Sequence, residues 1–278
     1  MINPDEEFIA RSRRLLLALL AAVLCWVPHA QAEEIRIGGT GNALGTIRLL
    51  GDAFGKKYPQ IKITVLNSLG SSGAFKAIPK GAIDIGLSSR AETDQERAAG
   101  VVSSEYARSL TVLTVSTKAR VTAITRQQIA DIYRGQLTQW PDGTAIRPVL
   151  RQPGDDNTRQ IKSLSPEIEK ALVVAEHRSG LAFAVTDQEA ADKIESISGA
   201  VGVSTLALIV SEARSLRALK LDGVEPTVSN GESGSYPIVK RFFFITKPTP
   251  SAAVQQFIAF VASPDGREIL VRTGNWVP

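Results

Sequence analysis

Two kinds of apolar spacing take turns along the first third of this chain, and together they constrain its fold class. Alternating apolar residues predict strands at 35–37 and 61–65. Between them, apolar residues three or four positions apart predict a helix that begins near Ala43. A short helix at 72–78 and a third strand at 83–87 complete a β-α-β-α-β order. This order indicates an α/β domain with a largely parallel sheet.

A polar cluster of glycines and small side chains accompanies each of these three strands. The clusters are Gly39-Thr40-Gly41-Asn42-Ala43-Leu44, Gly70-Ser71-Ser72-Gly73 and Asp84-Ile85-Gly86-Leu87-Ser88-Ser89-Arg90. Ligands of parallel sheets bind beyond the carboxyl ends of the strands. A helix that begins there offers unpaired amide donors and a partial positive charge. Any one cluster fits an ordinary turn, but three in succession predict an oxyanion site.

The pattern restarts in the second half of the chain. Apolar strands are predicted at 110–116 and 242–246, and helix starts at Thr125, Ser165, Thr186 and Ser251. At Thr125 and Thr186 the spacing to Gln128 and Glu189 is that of a capping box. The two apolar strands could cross between two α/β units, which predicts two lobes that close on a ligand by hinge motion. From periodicity alone, a single domain of similar size is the alternative.

Residues 1–32 have the pattern of a secretory signal peptide. Three arginines precede the apolar run 15–27, and Ala30-Gln31-Ala32 provides small residues for cleavage. A retained membrane anchor is the alternative, although the run is short for a bilayer. Cleavage would remove Cys25, the only cysteine. We therefore expect a periplasmic protein without disulfides.

Composition argues against several classes of function. The net charge of +4 is spread along the chain, and the aromatic content is 6%, so we expect an anionic ligand but no nucleic acid. After the leader the chain has one histidine, His177, in a charged helical stretch that predicts a surface position. This argues against a Cys–His nucleophile and a histidine zinc site. Asp155-Asp156-Asn157 lacks the full spacing of a calcium loop. We therefore expect a protein that binds no metal or cofactor and has no enzymatic activity.

Arg151 is the strongest single candidate for an anion contact. It ends the largely apolar stretch 146–150 and precedes a turn at Pro153-Gly154. An arginine at a strand end, before a helix start, can offer two parallel N–H donors to an anion. An ion pair with a neighbouring aspartate is the alternative. Tyr133 and Trp140 are expected in the core.

These motifs occur in the order found in one known family. The three polar clusters described above are followed, in order, by Ile129–Gly135 with Trp140, by Arg151–Thr158 and by Tyr236-Pro237-Ile238. Over essentially the whole chain after the leader, the sequence resembles the periplasmic phosphate-binding proteins, the soluble receptors of ABC phosphate importers. The resemblance implies a type II periplasmic-binding fold, with lobe 1 at 33–114, lobe 2 at 115–239 and a return to lobe 1 at 240–278. Trp140 and Trp276 then fall in different lobes.

The resemblance also implies a site and partners. The candidate ligand-binding residues are Asn42, Ala43, Leu44, Ser71, Ser72, Ser89, Arg90, Arg151, Asp155, Asp156, Asn157 and Thr158. In the first loop the donors would be backbone amides, since the family's usual hydroxyl and aromatic side chains are replaced by Ala43 and Leu44. The implied partners are a small phosphate-like anion and an ABC permease in the inner membrane, and we expect a monomer.

One departure from the family bears on selectivity. Where the family usually has an aspartate, this chain has Ser89. The O–H of hydrogen phosphate needs an acceptor, whereas sulfate carries no such proton and would be repelled by a carboxylate. We therefore expect Asp155 or Asp156 to supply the acceptor, with Arg90 keeping that carboxylate ionised. The alternative is that both aspartates face solvent and the site selects little among oxyanions.

The predicted function is delivery of phosphate to an ABC transporter. Three alternatives remain open on the same fold. These are an extracytoplasmic sensing or interaction protein, a phosphohydrolase, and a binder of molybdate, tungstate or sulfate.

Overall fold

Residues 33–278, the part of the chain that the computed structural model describes, form eleven strands and eleven helices. The predicted signal peptide lies outside these residues. Residues Glu34–Pro278 form one compact unit. Among the described helices, none combines the length and the apolar character needed to cross a membrane.

The strands, in chain order, are β1 (Glu33–Gly39), β2 (Ile61–Val65), β3 (Ile85–Ser88), β4 (Val102–Ser116), β5 (Ala123–Ile124), β6 (Arg147–Arg151), β7 (Ala182–Ala184), β8 (Ala200–Thr205), β9 (Leu216–Ala218), β10 (Lys220–Leu221) and β11 (Val239–Thr246).

The helices are α1 (Gly41–Lys57), α2 (Gly70–Ala77), α3 (Asp94–Ala98), α4 (Arg126–Arg134), α5 (Asp156–Lys162), α6 (Pro166–Glu176), α7 (Asp187–Ser196), α8 (Leu206–Ser211), α9 (Val228–Glu232), α10 (Ala252–Ala262) and α11 (Pro264–Arg272).

Nine strands form one mixed sheet with parallel pairs on both sides of an antiparallel centre. Its order is β2-β1-β3-β11-β4-β8-β6-β7, with β9 also paired to β4. Strand β1 is parallel to β3, and β6 is parallel to both β7 and β8. The central strands β4 and β11 are antiparallel to each other. The α/β class is therefore confirmed, with parallel pairing in the first unit.

Strand β4 is the longest in the sheet, at 15 residues. It pairs with β11 from Val102 to Leu110 and with β8 from Thr111 to Val115. The sequence predicted only its second half, because 102–109 contains polar residues and is partly exposed. The second predicted crossover, 242–246, is the end of β11. The strands that contain the two predicted apolar segments are thus direct neighbours in the centre of the sheet, although 242–246 pairs with 102–107 and not with 110–116.

The buried apolar residues fall into two large clusters and one small one. One large cluster takes its residues from 110–238, among them Tyr133 and Trp140, and also includes Trp276. The other takes its residues mainly from 35–107 and 242–270. Tyr133 and Trp140 are core residues, as predicted, and His177 is exposed. Trp276 shares a cluster with Trp140, which the sequence placed in another lobe. The lobe boundaries themselves stay predictions.

Trp276 joins that cluster because the C-terminal segment returns to β4. The backbone N–H and C=O of Trp276 pair with those of Arg108 at 2.8 Å. Its ring then lies close to Gly231, where an added Cβ would be 2.7 Å from the ring edge. A pairing between residues so far apart in sequence leaves no local pattern.

Side-chain caps fix where several helices begin. Thr125 and Gln128 form the predicted capping box at α4, which ends at Gly135 with a φ of 82°. At α7 the Thr186 hydroxyl accepts the N–H of Glu189 as predicted, at 3.1 Å. The Glu189 carboxylate, however, accepts from the N–H of Val185 instead of Thr186. This cap is therefore only half of a capping box.

Phe54 of α1 offers a test of the cluster that contains β1 and β11. Its fully buried ring meets Phe257 of α10 edge to face, with 5.2 Å between the ring centroids. Phe54→Ala should lower the free energy of unfolding by about 3–5 kcal/mol, because it leaves a cavity in the core. Val174→Ala, at a position that is 54% exposed, should change it by less than about 0.5 kcal/mol. Urea titrations would check this, and equal effects of the two changes would contradict the packing.

Candidate functional site

A polar cleft of about 270 Å³ lies where strands of both parallel groups reach their carboxyl ends. Thr40 follows β1, Ser89 follows β3, Arg151 ends β6, and Thr186 follows β7. Eight of the twelve predicted ligand-binding residues line this cleft: Asn42, Ser71, Ser72, Ser89, Arg90, Arg151, Asp155 and Asp156. The topology thus gathers residues that are more than a hundred positions apart.

Two helices of the first unit begin at this cleft with N-termini that are bare, in the sense that the N-cap side chain of the helix forms no capping hydrogen bond. Thr40 and Leu69 precede α1 and α2, and neither side chain caps its helix. Neither helix has an acidic residue in its first turn. Thr40 and Gly70 both line the cleft. The partial positive charge of each helix end is therefore presented to it without a compensating carboxylate from the same helix.

Two serines from different loops meet at the wall of the cleft. The hydroxyl oxygens of Ser71 and Ser89 are 3.2 Å apart, and the N–H of Ser89 donates to the Ser71 hydroxyl at 3.1 Å. Ser71 belongs to the first turn of α2, and Ser89 directly follows β3. The predicted second and third loops therefore form one hydroxyl-bearing surface.

Arg151 is buried between two carboxylates, and its side chain is only 7% exposed. Its Nη2 donates to Asp155 Oδ2 at 2.8 Å, and its Nη1 is 3.1 Å from Asp187 Oδ1. The second contact is an ion pair without hydrogen-bond geometry, and both Nε and Nη1 have no hydrogen-bond partner within residues 33–278. The ion pair with a neighbouring aspartate is therefore present, and the anion contact of Arg151 stays a prediction.

The two aspartates of the arginine loop are already engaged by other groups. Asp155 caps α5 by accepting the N–H of Thr158 at 3.2 Å, in addition to its contact with Arg151. Asp156 accepts from Arg159 at 3.0 Å and from the fully buried Lys240 of β11. Burial acts to raise the pKa of Asp156, but Lys240 and Arg159 outweigh it and hold the pKa below its ordinary value.

The direct partner of Arg90 is Glu96, while the charge of Asp156 acts on Arg90 from further away, so the predicted effect of Arg90 on an aspartate stays a prediction. The Arg90 guanidinium forms two hydrogen bonds with Glu96 of α3, both at 2.7 Å, and lies 4.3 Å above the Phe75 ring. It does not pair with Asp155 or Asp156. Glu96 is the partner because the capping turn at Thr93 places its carboxylate beside the Arg90 guanidinium. Both aspartates pair with other cations, Asp155 with Arg151 and Asp156 with Arg159.

Four predicted residues do not reach the cleft surface. Ala43 and Leu44 are each 1% exposed and pack in the core, and the Ala43 N–H donates to Thr40 at 3.3 Å. Asn157 and Thr158 lie behind the cleft. The Asn157 side chain accepts from Asn42 at 3.4 Å and donates to Asp187 at 3.1 Å. These amides therefore support the wall of the cleft.

Asp187 is a cleft residue that the sequence prediction missed. It is the first residue of α7, its side chain is 7% exposed, and it contacts Arg151 and Asn157. Burial raises its pKa above the ordinary value, against the effect of Arg151. The capping spacing at Thr186 placed this helix start correctly. The three-residue strand β7 before it gave no apolar alternation, so nothing marked the position as a strand end.

The sequence matches a family model for the PBP superfamily domain over residues 27–265. The chain belongs to the PBP superfamily. Among curated proteins, this PBP domain is 25% identical to the phosphate-binding protein PstS of Borreliella burgdorferi over 216 residues, covering 75% of this chain and 76% of that one. It is 22% identical to PstS of Bacillus subtilis, covering 90% and 83% of the two chains.

Solved structures show the same fold. A Clostridium perfringens protein described as a phosphate ABC transporter substrate-binding protein with bound phosphate aligns with a TM-score of 0.73 at 23% identity, over 88% of this chain and all of that one. The periplasmic molybdate-binding protein of Azotobacter vinelandii aligns with a TM-score of 0.61 at 17% identity, over 88% and 99%. The predicted periplasmic-binding fold of type II is confirmed.

A larger cavity of this PBP domain, of about 600 Å³, lies beside Trp140 and Gly199. It contains none of the predicted ligand-binding residues, and its charged members include both Lys118 and Glu195. The smaller cleft combines a buried arginine with free donors and two bare helix N-termini. Chemistry, and not volume, therefore selects it as the candidate site.

The Arg90–Glu96 pair at the edge of the cleft should make the fold sensitive to acid. Hydrogen bonds from Arg90 lower the pKa of Glu96 from 4.5 to about 2. Because this pKa is lower in the folded protein, the pair contributes fully above pH 4.5 and is lost as the pH falls towards 2. Because the pair is partly exposed and screened by solvent, Glu96→Gln should cost only about 1 kcal/mol at pH 7, and it should reduce the loss of stability in that range.

Unfolding followed by circular dichroism at several pH values would measure this effect. Asp94→Asn, on the exposed first turn of the same helix, is the matched control. If Glu96→Gln kept the acid sensitivity of the unsubstituted protein, the ion pair would not be its source.

Proposed function

We propose that this protein is the solute-binding component of an ABC importer and that its ligand is phosphate. The observation that carries this proposal is the state of Arg151. A guanidinium that is 7% exposed keeps two N–H-bearing nitrogens without hydrogen-bond partners, at the wall of a polar cleft. Leaving such donors unpaired costs free energy that a bound acceptor would recover.

The rest of the cleft suits a small oxyanion. Further donors come from residues 40–89, a different part of the chain from Arg151. They are the N-termini of α1 and α2 and the hydroxyls of Ser71 and Ser89. The volume of about 270 Å³ is below the range of about 300–1,000 Å³ that is usual for drug-sized ligands. Backbone amides, hydroxyls and one arginine can surround a tetrahedral anion without a metal or cofactor.

The names of the relatives support phosphate as the ligand. The curated proteins that match are phosphate-binding proteins, and a structure with bound phosphate has the same fold. A molybdate-binding protein also has this fold, so molybdate is the second candidate and the same titration decides between them. Binding without turnover is expected, because the carboxylates at the cleft are held in ion pairs.

The proposed setting is the periplasm. Residues 1–32 would direct export and be removed, and the monomer would then deliver its anion to an inner-membrane permease. The proposed division into lobes is 33–114 with 240–278, and 115–239. A sensing protein would use the same closed state, and the two roles differ in the partner that the closed state contacts.

Arg151→Lys tests the binding role with little change in charge. Lysine keeps a cation beside Asp155 and Asp187 but lacks the planar fork and the Nε donor. Loss of charge-assisted hydrogen bonds should weaken phosphate binding by about 10- to 100-fold. Calorimetry in phosphate-free buffer would measure this, with sulfate and molybdate titrated in parallel.

Arg147→Lys is the matched control, because Arg147 is exposed at the opposite end of the same strand. Its affinity for phosphate should stay within about twofold of the unsubstituted protein. Unchanged affinity in a folded Arg151→Lys variant would remove Arg151 from the site. Failure of the unsubstituted protein to bind any oxyanion would overturn the proposed function.

Closure on the ligand is a second consequence of the proposal. Polar contacts that link the segments 33–114 and 115–239 beside the cleft include Gln188 Nε2 to the Gly41 carbonyl at 2.9 Å and Asn42 to Asn157 at 3.4 Å. An anion that accepts hydrogen bonds from both segments would draw them together. X-ray scattering should therefore show a smaller radius of gyration when phosphate saturates the protein. Identical profiles with and without bound phosphate would argue against the hinge.

A further inference from the structure

A buried carboxylate faces the proposed anion site from α7. Asp187 Oδ1 accepts from Asn157 Nδ2 at 3.1 Å and lies 3.1 Å from Arg151 Nη1. Its other oxygen, Oδ2, lies against the start of α1, where a Cβ added to Gly41 would approach it to 2.7 Å. Asp187 therefore touches groups that belong to both sides of the cleft.

Within residues 33–278 Asp187 has no cation to itself, because two other cations near the cleft, Lys240 and Arg159, both pair with Asp156. Arg151 on β6 is shared with Asp155, which precedes α5 and adds a second negative charge. Lys240 on β11 acts on Asp187 from a distance, but it is paired with Asp156. The remaining donor is the backbone amide of Asn42 at the start of α1. Burial raises the pKa of Asp187, so the site retains a proton more readily than an exposed aspartate does.

An oxyanion in this cleft would bring a further negative charge close to Asp187. Two anionic groups in contact in a buried site are strongly unfavourable unless one proton lies between them. Hydrogen phosphate brings that proton on the ligand, and Asp187 can then accept its hydrogen bond. Sulfate brings none, so Asp187 would have to be protonated first.

The other two aspartates of the cleft are less suited to this task. Each of them has both carboxylate oxygens in use, Asp155 by Arg151 and the Thr158 amide, and Asp156 by Arg159 and Lys240. Both side-chain contacts of Asp187 go to the same oxygen, Oδ1. Oδ2 therefore has no side-chain partner in the described part of the chain, and beside the Asn42 amide it has room to accept one further hydrogen bond.

We infer that Asp187 is the residue that selects oxyanions carrying a proton, such as phosphate and arsenate, over those that carry none, such as sulfate. The inference rests on the proposed function and deepens it. It also replaces the sequence-based prediction that Asp155 or Asp156 has this task.

Asp187→Asn tests the assignment, because the amide keeps the shape but adds a donor and removes the charge. The probes are inorganic phosphate and sulfate, titrated by calorimetry and by mutual competition at pH 7. The preference for phosphate over sulfate should fall by about tenfold or more, through weaker phosphate binding and stronger sulfate binding. Asp192→Asn is the matched control, since this residue lies on the same helix with a side chain that is 63% exposed. It should keep the original preference.

A second measurement needs no substitution and decides the matter if Asp187→Asn does not fold. In the unsubstituted protein, sulfate binding requires uptake of one proton, so its affinity should rise by up to about tenfold for each unit by which the pH is lowered. Phosphate affinity should change much less between pH 6 and pH 8, since the ligand supplies the proton. Folding of each variant is checked by thermal unfolding.

The outcomes separate the two proposals. If the unsubstituted protein binds phosphate and Asp187→Asn keeps its preference, or binds both anions more tightly, the assignment to Asp187 is overturned while the proposed function stands. A sulfate affinity that does not depend on pH would also overturn it. If the unsubstituted protein binds neither anion, both proposals fail together.

Discussion

The buried ion pairs of Arg151 are the interaction on which the cleft depends. Removing a guanidinium from water is costly unless carboxylates and hydrogen-bond acceptors replace the solvent. Asp155 and Asp187 supply the charge, and each is held by the fold itself, the first as the cap of α5 and the second at the start of α7. Because two carboxylates share one arginine, the cluster is not neutral when both are ionised. The unpartnered donors of Arg151 and the excess of carboxylate over guanidinium are two consequences of this one arrangement. The first favours an anion, and the second favours an anion that carries a proton of its own.

The sheet explains why these groups meet. Strands β1 and β3 are parallel, as are β6, β7 and β8, so the loops that follow them gather at carboxyl ends. Between the two groups, β4 and β11 run antiparallel and carry Lys240, whose fully buried ammonium reaches Asp156 beside the cleft. The strands that join the two halves of the protein are thus also linked by charge to the binding loop. In the proposed two-lobe arrangement, a change of angle between the lobes would alter the contact between Lys240 and Asp156 and would so link ligand binding to the proposed hinge motion.

Much of the fold was predictable because it follows from local spacing. The first five elements, the capping box at Thr125 and the end of α4 at Gly135 are each determined by residues within a few positions of one another. The extent of β4 was not predictable, because its first half is polar and is stabilised by pairing with β11, far away in sequence. The location of Trp276 depends on a similar long-range pairing with Arg108. Local patterns indicate which helix or strand a segment can form, but they do not indicate which distant segments pair with it.

The candidate site likewise combines features that short segments predict with features that depend on the tertiary structure. The sequence by itself determined that glycine and serine clusters follow the strands, that helices start there without acidic first turns, and that an arginine ends β6, because each of these is a property of one short segment. Only the tertiary structure decided which carboxylate meets which cation. In the folded protein Arg90 pairs with Glu96, Lys240 pairs with Asp156, and Arg151 pairs with both Asp155 and Asp187. Coulomb energies depend on distance and burial in space, and a position in the sequence fixes neither until the strands are paired.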